Sequence, residues 1–179
     1  IKILIIGAFL TPTEKSKPHS IMSNNLVRLA LFEPDIPQNT GTLLRLAACL
    51  GVNVDVVAPC GFVWGGKHMR RAGMDYLEHV DVIHHINWQS FSDAPTTTRR
   101  VLLTTKSAVS YTEFAFQAGD TLLLGSESAG VPEHVHNSVE VSVTVPMRVG
   151  QRSLNLATAA AMVLGEALRQ LDAFPKGDQ

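Results

Sequence analysis

The sequence predicts an α/β fold, a mainly parallel sheet flanked by helices. Short apolar runs of strand character alternate with helical patterns, and the connections between them are short. There are no internal repeats and no composition shift that would mark a second domain. Apolar residues make up 45% of the 179-residue chain and charged residues 17%, enough to bury one sizeable core.

The elements follow in order. "LVRLALF" (26–32) reads as a strand. In "TGTLLRLAACLG", Leu43, Leu46, Ala47 and Leu50 recur at helical spacing, and Gly51 closes the helix. "VNVDVVAP" alternates as a strand does. "KHMRRAG" reads as a short helical turn, "HVDVIHHI" as a strand and "NWQSFSDA" as a short helix. "RRVLLTT", "DTLLLG" and "VEVSVTVP" are three further strands. "SLNLATAAAMVLGEALRQL" is a long Ala-rich helix, for which Ser153 is the expected N-cap.

Residues 1–25 read as an extension, 26–172 as one domain and 173–179 as a tail. "IKILIIGAFL" resembles a strand or a signal core, and the polar "TPTEKSKPHS" follows it. Met22 stands directly before the first well-patterned segment, so residues 1–21 are expected to be an upstream extension rather than a targeting segment. No apolar run reaches the roughly 18 residues that a membrane helix needs. Net charge is −1, so any nucleic-acid binding must come from a local patch. Two cysteines make no disulfide framework, and a reducing, cytoplasmic setting fits. Cys49, in an apolar helical run, reads as a small buried hydrophobe.

In parallel sheets, ligands sit beyond the carboxyl ends of the strands. That directs attention to loops 33–41, 59–76, 104–110, 125–133 and 146–153. The common dinucleotide and Walker A fingerprints are absent from them. His84-His85 and His134-x-His136 do not place two imidazoles on one helix face, so no metal site is expected. "LLLGSESAGVP" ends a strand at Gly125. Gly125 and Gly130 permit close backbone approach, and Pro132 suits the first turn of a short helix. Read alone, this is either a structural turn or the wall of a site. "VPMRVGQRSLNL" repeats the form, with Arg148, Gly150 and Arg152 before Ser153. With "LLTTK" these loops could line a pocket suited to an adenosine-like ligand. "GFVWGGKHMRRAGMDY" carries Lys67, Arg70 and Arg71 beside Trp64, either a solvated face or a patch for phosphate contact and base stacking.

Taken in this order, "LFEPDIPQNTGTLLRLAACLG", "GFVWGGKHMRRAGMDY", "LGSESAGVP" and "VPMRVGQRSLNLATAAAMVLGEALRQL" resemble the SPOUT methyltransferases of the SpoU branch. Within that branch they are most similar to the small tRNA wobble-nucleotide (cytidine/uridine 34) 2′-O-methyltransferases. The resemblance covers Leu26 to Leu171. It rests on N-T-G-x-x-x-R and K-x-x-R-R-A-G-x-D-Y together. It implies a deep C-terminal trefoil knot, which patterning could not reveal. It further implies a homodimer, a tRNA anticodon stem-loop as substrate, and S-adenosylmethionine held at Leu103, Gly125, Val145 and Ser153. Glu127, Asn39, Gly41, Arg45, Arg152, Ser153 and Asn155 match the family pattern. The glycine loop departs from it, with Ala129 where the family carries Arg.

2′-O-methylation needs an oriented ribose and stabilisation of a developing alkoxide. Asn39-Thr40-Gly41 would present free N–H groups at a helix start, with Arg45 reaching back from the first turn. Arg45 and Asn39 are therefore the expected catalytic pair. Arg45 serves as a charge stabiliser, because a guanidinium stays protonated and makes a poor base. The proton acceptor is left open between substrate phosphate and water. Lys67, Arg70, Arg71 and Arg152 are the expected RNA contacts. Two other readings share the fold: a non-catalytic RNA-binding protein, and a family member that methylates another RNA site.

Overall fold

The computed structural model describes residues 26–66, 74–96 and 98–177. The expected turn at "KHMRRAG", with Lys67, Arg70 and Arg71, lies outside them, as does the extension 1–25. The described chain forms six strands: β1 (Val27–Phe32), β2 (Asn53–Val57), β3 (Val82–His85), β4 (Arg99–Leu103), β5 (Asp120–Leu124) and β6 (Val141–Val143). The helices are α1 (Pro37–Leu50), α2 (Trp88–Ser92), α3 (Glu133–His136) and α4 (Leu156–Gln170), and a 3-10 helix spans Met74–His79. The strands lie in the order β3-β2-β1-β5-β4-β6, and every neighbouring pair is parallel.

Side-chain alternation explains the layers. In β1, Val27, Leu29 and Leu31 face a core shared with Leu43, Leu44 and Ala47 of α1 and Leu164 and Leu168 of α4. Ala30 and Phe32 face the other side, against Phe91 of α2 and Val135 of α3. β1 and β5 are buried along their whole length, which is why they read as apolar runs interrupted only by Arg28 in β1 and by Asp120-Thr121 at the start of β5. In α1 the buried stripe is Leu43, Leu44 and Ala47; Leu46 and Leu50 are only partly covered. Cys49 is exposed, contrary to expectation, because it lies on the solvent side of that helix.

Both long helices begin at points the sequence did not mark. Pro37 opens α1, three residues before Thr40; its fixed φ and missing N–H suit a first helical position. α4 is capped by Asn155 and not by Ser153. The Asn155 carboxamide oxygen accepts from the N–H groups of Ala157 (3.0 Å) and Thr158 (3.2 Å). Pro132 is the N-cap of α3, one residue outside the helix.

Burial on both faces encloses a charged cluster that spans β1, β2 and β3. Arg28 of β1 donates through Nε to Asp55 of β2 at 2.9 Å, and His85 of β3 lies 2.8 Å from the other Asp55 oxygen. The Arg28 Nη2 is also 2.8 Å from Asp55 without hydrogen-bond alignment, so Nε carries the bond. All three residues are buried. Removing the central carboxylate would strand a buried cation. Asp55→Ala is therefore expected to cost about 3–5 kcal/mol and lower the melting temperature by roughly 10 °C in thermal unfolding. A wild-type melting curve would show that the cluster is dispensable.

Candidate active site

β1 has β2 on one side and β5 on the other, and the chain reverses its direction of travel across the sheet there. This is the topological switch point, where parallel sheets open a crevice at their carboxyl edge. The loops leaving β1 (33–36) and β5 (125–132) meet at it.

They are joined by reciprocal hydrogen bonds in which two carboxylates 92 positions apart each accept from the other's loop. Glu127 Oε2 accepts from the backbone N–H of Asp35 (3.1 Å) and of Ile36 (3.4 Å). Asp35 in return accepts from the N–H groups of Glu127 (3.2 Å) and Ser128 (3.2 Å) and from the Ser128 hydroxyl. Burial, followed by the hydrogen bond with Asp35, pushes the Glu127 carboxyl above its ordinary value. The hydrogen bond from Glu127, aided by Ser128, holds Asp35 below the usual carboxylate range. Of the two, Glu127 is the more readily protonated.

The connection continues into both long helices. Glu127 Oε1 accepts from the Asn39 side chain at 3.1 Å, and Asn39 Oδ1 accepts from Asn155 Nδ2 at 3.0 Å. Since Asn155 also caps α4, one chain of bonds runs from the β5 loop through the first turn of α1 to the head of α4.

Beside this chain is a cavity of about 390 Å³, within the size range of small-molecule sites. Leu103, Gly125, Val145 and Ser153 all line it, so the four expected cofactor contacts come together. Asn39, Glu127 and Asn155 border the same space. Gly125 is required by the fold of the loop: an added Cβ would lie 2.5 Å from the Gly130 carbonyl carbon. Gly130 itself has φ +70°, and paired Ser126–Gly130 backbone bonds close the loop. Ala129 is exposed in that loop. Loop 59–66 contributes no lining residue.

The expected catalytic pair is arranged differently from the sequence reading. The Asn39 and Thr40 N–H groups are not free; both reach the Ile36 carbonyl, at 3.1 and 3.2 Å. Asn39 acts instead through its side chain, both ends of which are engaged. Arg45 is in the third turn of α1, not the first, and does not line the cavity. Its guanidinium carbon sits 5.0 Å from the centre of the Tyr76 ring. Arg152 is exposed in the segment before α4. Among the described residues, no three His, Cys, Asp or Glu side chains gather as metal ligands. Sequence reasoning missed Asp35 entirely, because no local pattern pairs it with Glu127.

Truncating Glu127 removes the acceptor for three donors. Glu127→Ala is expected to destabilise by about 1–2 kcal/mol and lower the melting temperature by roughly 3–6 °C, read by calorimetry. No shift would mean that the loops are held without this contact.

Comparison with known proteins supplies the relationships. The family model described as "SpoU rRNA Methylase family" matches residues 26–165. A protein of Beijerinckia indica subsp. indica named tRNA (cytidine(34)-2'-O)-methyltransferase is 54% identical over 150 residues, 83% of this chain and 94% of that protein. A solved structure described as giving insights into 2-OH methylation of C/U34 on tRNA superposes with a TM-score of 0.78. It is 37% identical and covers 83% of this chain and 98% of that one. An AdoMet-bound rRNA methyltransferase from Sinorhizobium meliloti is 25% identical with a TM-score of 0.73, covering 81% of this chain and 56% of that one. With a match across most of its length, and a cavity walled by the loops at the sheet's switch point, the chain belongs to the SpoU methylase family.

Proposed function

We propose that this protein transfers a methyl group from S-adenosylmethionine to the ribose 2′-hydroxyl of the wobble nucleotide, cytidine or uridine 34, of tRNA. The observation that carries the reading is near-full-length kinship with a protein named for that reaction. The cavity suits the cofactor. Leu103, Val145 and Met147 offer apolar surface for a purine, while Gly125 and the Ser153 segment bring backbone and hydroxyl groups to the same space. When bound there, S-adenosylmethionine supplies the electrophilic methyl group.

The chain's own residues orient and stabilise. Asn39 and Glu127 fix the loop after β1 against the cavity wall. Arg45 stabilises charge on the attacking oxygen or holds an adjacent phosphate. Lys67, Arg70, Arg71 and Arg152 contact the anticodon stem-loop. A deep trefoil knot ties the C-terminal part, consistent with loop 104–110 pairing at Ser110 with Thr144 just after β6. A homodimer is the assembly we favour; Met162 and Phe174, 39% and 45% exposed, supply apolar surface for it. The catalytic domain spans residues 26–172, and the setting is cytoplasmic. No helix among the described residues is long and apolar enough to cross a membrane.

The direct test incubates the protein with labelled S-adenosylmethionine and tRNA from cells lacking the activity, then identifies the labelled nucleotide by mass spectrometry. A 2′-O-methylated nucleotide 34 is expected. Label elsewhere would keep the family and change the target. Absence of both label and cofactor binding would favour a non-catalytic RNA binder and make Ala129 the first residue to revert.

Two variants separate the roles. Arg45→Ala is expected to lower kcat about 10²-fold, with cofactor affinity unchanged. Gly125→Ala, which opens the loop against Gly130, should weaken cofactor binding by roughly tenfold or more in calorimetric titration. Intact turnover in the first, or intact binding in the second, would remove that residue from its assigned role.

A further inference from the structure

We infer that Tyr76 is a positioning residue for Arg45, holding the guanidinium by its face so that its N–H edge stays available to the RNA. The inference rests on the charge-stabilising role proposed for Arg45. Four other arginines, Arg28, Arg99, Arg100 and Arg169, are paired with carboxylates: Asp55, Asp120, Glu140 and Glu166. Arg45 has no carboxylate partner among the described residues; its contact is the Tyr76 ring, 5.0 Å away. The difference matters chemically. A carboxylate consumes the planar donors of a guanidinium, whereas an aromatic face attracts the cation and leaves its five N–H groups unspent. An exposed arginine is otherwise a mobile side chain, and fixing it beforehand removes an ordering cost from the reaction.

The surroundings give the ring an anchor. Tyr76 lies on the 3-10 helix Met74–His79, which packs on α1, and is itself half-buried. Arg45 is thus held from a neighbouring element while its own stem stays exposed. The contact also joins the last residues of the two sequence stretches that marked the chain. Arg45 closes N-T-G-x-x-x-R and Tyr76 closes K-x-x-R-R-A-G-x-D-Y.

Steady-state methyl transfer with tRNA and S-adenosylmethionine tests it in Tyr76→Leu, Tyr76→Phe, Arg45→Ala and the Tyr76→Leu/Arg45→Ala double variant. Tyr76→Leu should lower kcat about fivefold, the size of one cation–π contact, with KM for S-adenosylmethionine unchanged. Tyr76→Phe should restore most of the rate, because the ring remains. In the Arg45→Ala background, Tyr76→Leu should cost nothing further. An unchanged kcat in Tyr76→Leu alongside a slow Arg45→Ala would overturn the inference and spare the Arg45 role. An additive loss in the double variant would also overturn it. Intact turnover in Arg45→Ala would remove the Arg45 role first, and the inference with it. Should Tyr76→Leu fold poorly, fluorinated phenylalanines at position 76 replace it; they weaken the ring's negative face and keep its shape. A rate falling with each added fluorine supports the contact, and a flat series overturns it.

Discussion

The Glu127 carboxylate determines how the site is assembled. It receives the N–H groups of Asp35 and Ile36 from the loop after β1 and the Asn39 amide from the first turn of α1. Without a shared acceptor, three donors from one segment would have no reason to face the loop after β5. Asp35 answers with bonds to Glu127 and Ser128, so neither loop can move without breaking contacts in both directions. Asn39 then passes the constraint to Asn155, and Asn155 to the head of α4. The cavity walls are therefore set by side chains that themselves hold backbone, which makes the pocket shape a property of the fold.

The sheet makes that assembly possible. Parallel strands all end on one edge, so loops far apart in sequence leave side by side. Placing β5 next to β1 puts residue 127 within reach of residue 35. The buried Arg28–Asp55–His85 cluster holds β1, β2 and β3 together from within. The positions from which the loops depart are fixed by the layers beneath them.

How far the sequence foretold this depends on the range of the interaction. The alternation of apolar runs and helices was visible because burial is written locally, as in β1 and β5. Leu103, Gly125, Val145 and Ser153 were reached through resemblance, and the structure gathers them in one cavity. Gly51 closes α1 as read, but the N-cap of α4 was misplaced because Ser153 and Asn155 are both good capping residues, and only the backbone path decides between them. The stripe of α1 was read at Leu43, Leu46, Ala47 and Leu50; the sheet beneath covers Leu43 and Ala47 as expected, but takes Leu44 in place of Leu46 and Leu50. Asp35 was not singled out at all. A loop acid looks like a solvated acid until the fold brings Glu127 to it.

The same hydrogen bonds that build the site limit what its acids can do. Every bond that orients Glu127 uses a lone pair that a general base would need, and Asp35 is in the same position. Protonating Glu127 to carry off a substrate proton would weaken its hold on the Asp35 and Ile36 N–H groups, loosening the wall as the reaction proceeds. Asn39 has no free end, since one side of its amide serves Glu127 and the other Asn155. Arg45, by contrast, is a permanent cation whose donors face no carboxylate among the described residues. Acceptors committed to the wall leave the proton of a forming alkoxide to solvent or the nucleic acid's own phosphate, and the charge-stabilising role proposed for Arg45 fits that division.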